Sequence, residues 1–212
     1  MRQNFDPIVL RALRGPDELL KEKSKRAFLR GPEWDATRTG FCAALVDSTA
    51  VVFHIWLGKL SQQRAEQVRA LPEDSLKALA DFIAWLVLFC FRLANEVKPK
   101  TNSVVLTFYD ELFAERLGFA RAGLDFFEDA HTQIASPSQT DLDGMSEEER
   151  WTVEHLTFLR PTVATLARLA GFGELKQQES LDMQTDLGPT LNGAVLHFAN
   201  AVGVKAAPLV RL

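Results

Sequence analysis

Four histidines and one carboxylate-rich segment are the residues that could do chemistry in this 212-residue chain. Asp125, Glu128 and His131 lie close together around a Glu-x-x-His spacing. On a helix that spacing puts Glu128 and His131 on one face, the geometry by which a carboxylate-bridged di-iron bundle holds metal. A full site of that kind needs a second such motif and two further glutamates, and the sequence has no second Glu-x-x-His. An exposed acidic helix face explains the same residues, so the metal set Asp125, Glu128 and His131 is an alternative only. His54 stands within Ala50-Val51-Val52-Phe53-His54-Ile55-Trp56-Leu57. An imidazole in apolar surroundings could serve a haem or other flat ligand, but no attachment motif accompanies it, and a hydrogen-bonded core histidine is the commoner outcome. His197, beside Asn200, is read in the same way.

Arg150-Trp151-Thr152-Val153-Glu154-His155 resembles the Arg-x(4 to 6)-His motif of HEPN-domain ribonucleases over six residues. The resemblance implies an all-α, often dimeric enzyme with Arg150 and His155 as catalytic residues. Trp151 departs from the polar residue usual in that family, and five helical positions separate the two side chains by roughly 140°. Thr162 to Gly171 looks like the first helix and turn glycine of a lac-repressor-type helix-turn-helix. Phe172 to Glu179 lacks the Ser/Thr-rich, β-branched recognition helix that would enter a major groove. Gly-x-Gly-x-x-Gly, Gly-x-x-x-x-Gly-Lys-Ser/Thr, Gly-x-Ser-x-Gly and His-Glu-x-x-His are all missing from the sequence, which disfavours the standard nucleotide loops, the serine-hydrolase elbow and the common zinc-protease helix.

The elements that must position such residues are helices. Thirty Leu and 25 Ala stand against four Ile, a choice that favours helix over strand. Asp6-Pro7, Gly15-Pro16-Asp17-Glu18 and the capping box Ser146-Glu147-Glu148-Glu149 mark starts. Val105, Phe108, Tyr109, Leu112 and Phe113 follow helical spacing, as do Leu156, Leu159, Val163, Leu166 and Ala170, with Pro161 expected to kink or split the second run. Further helices are expected near residues 17 to 30, 48 to 60, 62 to 70, 73 to 97, 119 to 134 and 190 to 203. Residues 31 to 46 are ambiguous between helix and a short strand. The polar stretch from Ala135 to Gly144 reads as a flexible loop over about 135–145. The apolar tail from Ala206 to Leu212 reads as packing on its own body or on a second copy.

Composition bounds the rest: 47% hydrophobic, 25% charged and a net charge of −4 describe an ordinary globular chain. The ten apolar residues from Phe82 to Phe91 are half the roughly 20 a membrane span needs, so they read as the central helix of a bundle. No membrane partner is expected. Cys42 and Cys90 sit in apolar stretches and read as buried thiols. With no secretory signal at the N-terminus, the chain is placed in a reducing cytoplasm. Residues 1 to 30 carry eight Lys or Arg against four acids. Lys21, Lys23, Lys25 and Arg26 read as a solvated helix side and C-terminal end rather than a nucleic-acid arm, since nucleic-acid binders show a net basic footprint.

The expectation is therefore one all-α domain over residues 1 to 212, a bundle of seven to nine helices around the helix near 73–97. The function it suggests is a non-catalytic helical protein-interaction or regulatory module that self-associates and needs no cofactor. Two rivals stand beside it. One is a helical enzyme, metal-dependent or HEPN-like, around Glu128/His131 or Arg150/His155. The other is a ligand-sensing or nucleic-acid-binding regulator using the basic N-terminal region.

Overall fold

A computed structural model describes residues 5–13, 32–94, 123, 125, 127 and 144–203; within these, the side chains of 32–39, 92–94 and 147–157 are left aside. Among the described residues the chain is all-α, with no strand. Six helices follow in order: α1 (Pro7–Ala12), α2 (Pro32–Lys59), α3 (Gln62–Arg69), α4 (Glu73–Ala94), α5 (Glu147–Leu169) and α6 (Gln177–Ala201).

The helix starts follow the capping chemistry. Asp6 caps α1, its Oδ1 accepting the Ile8 N–H at 3.0 Å, with Pro7 as the first helical residue. Ser61 caps α3 in the same way through the Arg64 N–H. α5 begins directly after Ser146. Its end is a Schellman turn: the Phe172 N–H reaches the Ala167 carbonyl at 2.8 Å, the Gly171 N–H reaches the Arg168 carbonyl at 3.0 Å, and Gly171 takes φ +70°. That left-handed backbone suits glycine because a Cβ there would crowd the chain.

α4 is the apolar centre. Every residue from Leu79 to Leu88 is buried, Asp81 included, so the helix is covered on all sides. α2 and α6 pack against it and most extensively against each other, and α5 closes on α6 and α4. The Phe198 ring on α6 meets Phe41 of α2 at 4.9 Å and Phe91 of α4 at 5.0 Å, both edge to face. A second aromatic group joins Phe82, Trp85 and Phe89 of α4 to Phe127 and to Phe158 of α5.

Two expectations are corrected. The ambiguous stretch 31 to 46 is helical from Pro32, so the helix expected at 48–60 is the second half of a 28-residue α2. Phe41, Cys42, Ala44, Leu45 and Val46 are all buried there, which blurs the one-sided period that marks a surface helix. The helix expected at 190–203 begins at Gln177 and runs through Pro189, which is exposed, where the carbonyl it leaves without a partner can be solvated. Of the kink or split expected at Pro161, the split does not occur: α5 is continuous from Glu147 to Leu169. The Thr162 and Thr165 hydroxyls, both beyond the proline, donate back to the Phe158 and Pro161 carbonyls at 2.8 and 2.7 Å.

Among the described residues, α2 rather than the 82–91 stretch holds the window long and apolar enough to cross a membrane, Gly40–Lys59, by length and composition. Of that window 67% is buried inside the fold, as in a core helix. Cys42 and Cys90 are buried thiols, and burial pushes the Cys90 thiol up to about 12, so it stays protonated. The helices expected at 17–30 and 105–113, most of the loop expected at about 135–145 and the tail 206–212 lie outside the described residues; of the helix expected at 119–134, positions 123, 125 and 127 are described, and are helical.

Candidate binding cleft between α2, α3 and α6

α2 and α6 run antiparallel, Phe41 lying against Phe198 and Lys59 against Asp186. The tight turn at Leu60-Ser61 then swings α3 away from α2. Where the helices diverge they leave a cleft of about 670 Å3, within the range of a ligand or side-chain pocket. Trp56, Leu60, Met183 and Leu187 give it an apolar floor, and exposed Ile55 stands at its edge.

Two ion pairs cross the cleft. Lys59 Nζ meets Asp186 Oδ1 at 3.0 Å, with both side chains well exposed. Arg64 grips Glu179 with two hydrogen bonds, Nε to Oε1 at 3.1 Å and Nη2 to Oε2 at 3.4 Å. The Arg64 guanidinium also lies 4.6 Å over the Phe172 ring, which stacks on Trp56. Arg64 therefore ties α3 both to α6 and to the link before it, through a bidentate pair and a cation–π contact. Lys176 and Asp182 complete the charged rim. Three cations face three carboxylates, so the cleft has no net charge and would not concentrate a phosphate or nucleic-acid strand. On the far side of Phe172 a second cavity of about 440 Å3 is lined by Arg160, Arg168 and Glu174.

The residues singled out in the sequence lie elsewhere. His54 is half-buried, lines neither cavity, and receives the Asp6 backbone N–H on Nδ1 at 3.5 Å while Phe5 meets its ring edge to face at 5.3 Å. It anchors the N-terminal segment. His197 is exposed on α6. Arg150 and His155 share the continuous backbone of α5, five positions apart, and their side chains lie outside those described. Asp125 occupies an exposed helical position, while Glu128 and His131 lie outside the described residues. Among the described residues no three metal-ligating side chains gather. The segment likened to a helix-turn-helix ends in the Schellman turn at Gly171. The helix after it, α6, buries Leu187, Leu191, Val195 and Phe198 in the core.

Asp6 joins the N-terminal segment to α3, its Oδ2 accepting Arg69 Nη2 at 2.8 Å and Nε at 3.1 Å. Burial pushes its carboxyl up, but the Ile8 amide, Arg69 and the nearby His54 outweigh that and hold it below the usual carboxylate range. A depressed folded value makes the contribution full above the unfolded value and lost as pH falls through the folded one. Asp6→Ala is expected to cost about 1–2 kcal/mol at neutral pH, cap and half-exposed ion pair together. Asp6→Asn should recover the cap part. Urea titrations at neutral and acid pH check this: the gap between wild type and Asp6→Ala should shrink below pH 4 or so.

No protein-family model, no curated protein and no solved structure matches the chain.

Proposed function

We propose that the protein is a non-catalytic helical interaction or regulatory module that self-associates, with the α2–α3–α6 cleft as part of its recognition surface. The observation that carries this reading is the pairing of an apolar floor at Trp56, Met183 and Leu187 with a rim whose charges balance. Apolar centres with polar edges are the anatomy of protein-recognition patches. Ile55, exposed at 36% on α2 at the cleft edge, extends the apolar surface to solvent. We further propose a single all-α domain of seven to nine helices around α4, acting in the cytoplasm, with itself and another protein as partners and no membrane contact.

Sedimentation velocity of the full chain across the micromolar range, paired with native mass spectrometry, tests it. A reversible, concentration-dependent dimer or larger oligomer free of metal and small ligand is the expected result. A monomer at every concentration, or a stoichiometric metal or cofactor in the native spectrum, would overturn the reading and turn attention to His131, His155 and His54.

A further inference from the structure

The outward side of α2 carries a ridge that is complementary to itself. Asp47, Val51, Ile55 and Lys59 follow one another at intervals of four, the spacing that forms a continuous row on a helix surface. None of the four is buried: Asp47 and Val51 are half-exposed, Ile55 is exposed, and the Lys59 side chain is 56% exposed. In order they read acid, apolar, apolar, base.

Turning such a row about a two-fold axis at the level of Phe53 sets Asp47 against the partner's Lys59 and Val51 against the partner's Ile55, and the same pairs recur by symmetry. An isologous interface requires this kind of self-complementarity. Lys59 gives one of its three donors to Asp186, which leaves two for a second carboxylate, and Asp47, which already interacts within its own chain, keeps further carboxylate lone pairs for a second cation. Gly58 lies on the same outward side, and a Cβ there would meet nothing within 4 Å. At the next-to-last position of α2 this glycine leaves room for a second backbone to come close.

We propose that a second copy of this chain docks antiparallel along the Asp47-Val51-Ile55-Lys59 ridge of α2. The inference rests on the self-associating reading above and names its surface and its partner. The ridge reaches the cleft edge at Ile55 and Lys59, so the second copy covers that edge.

Charge reversal tests the pairing in the full chain. Asp47→Lys and Lys59→Asp each place like charges together twice in the symmetric dimer, and each should raise the dimer dissociation constant by about tenfold or more in sedimentation velocity. An equimolar mixture of the two variants restores opposite charges at both ends and should return to near wild-type dimerisation. Circular dichroism and thermal unfolding establish that each variant is folded. Because Lys59→Asp sets a carboxylate beside Asp186, a form carrying Asp186→Lys as well preserves the intramolecular pair. Ile55→Arg should also abolish the dimer.

A wild-type dimer indifferent to all these changes overturns this interface while leaving self-association standing. So do single variants that weaken the dimer but fail to recover on mixing. A wild type that is monomeric throughout overturns both.

Discussion

Replacing Phe198 by alanine should lower the unfolding free energy by about 3–5 kcal/mol. The ring is fully buried and is the point where three helices meet, edge to face against Phe41 of α2 and Phe91 of α4. Its loss removes the transfer free energy of the ring, two aromatic contacts worth about 0.5–1.5 kcal/mol each, and the packing of the void left behind. The rings around it cannot close that void easily: Phe41 on α2 and Phe91 on α4 are themselves fully buried. For a chain of this length the midpoint of thermal unfolding should fall by on the order of 10 °C. Phe198→Leu keeps most of the volume and should lose less than half as much. Calorimetry on the three proteins measures it, and a fall of no more than a degree or two in Phe198→Ala would mean that α2, α4 and α6 do not share this core.

That core was largely legible in the sequence. The α4 helix announced itself through ten uninterrupted apolar residues, and α1 and α5 through Asp6-Pro7 and the Ser146 capping box, because caps and all-round hydrophobicity are local properties. What failed was also local. In α2 the apolar residues between Phe41 and Val46 bury on several sides, so neither a helical nor a strand period stands out. In α6 the pair Gly188-Pro189 reads as a breaker, yet Gly188 is buried against its neighbours while Pro189 faces solvent. The sign of a proline's effect depends on which side of the helix it occupies, and that is decided by tertiary packing.

The cleft was not legible, for a different reason. Arg64 and Glu179 are 115 residues apart, and Lys59 and Asp186 are 127 apart. No local spacing records such a pairing. A face did exist to be found on α6, where Glu179, Asp182, Met183 and Asp186 recur at helical intervals, but reading it required the helix to start before Pro189. His54 shows the converse. Its apolar neighbours in sequence suggested a buried ligand site, whereas the ring's partners, Phe5 and the Asp6 amide, come from a segment almost fifty residues away.

The same substitution at two helical glycines should act with opposite sign. At Gly123 a Cβ would stand 2.8 Å from Phe82 Cδ2, 3.0 Å from Phe82 Cγ and 3.1 Å from Leu169 Cδ1. Phe82 cannot turn aside freely, being fully buried and stacked on Trp85 at 5.7 Å with Phe127 on its flank. Leu169 is half-buried and can yield, but the ring contact is the shorter. Overpacking of this kind costs about 1–3 kcal/mol, more than the roughly 1 kcal/mol that alanine gains over glycine in a helix. Gly123→Ala should therefore destabilise, and Gly123→Leu should do so severely. At Gly193 on α6 a Cβ meets nothing within 4 Å, and the position is exposed. Alanine there keeps the helix advantage unopposed and should stabilise by about 0.5–1 kcal/mol. Urea unfolding of Gly123→Ala and Gly193→Ala beside wild type separates the two effects. Equal stabilisation at both positions would show that the backbone at Gly123 does not lie against the Phe82 ring, and that the aromatic group of α4 is open on that side.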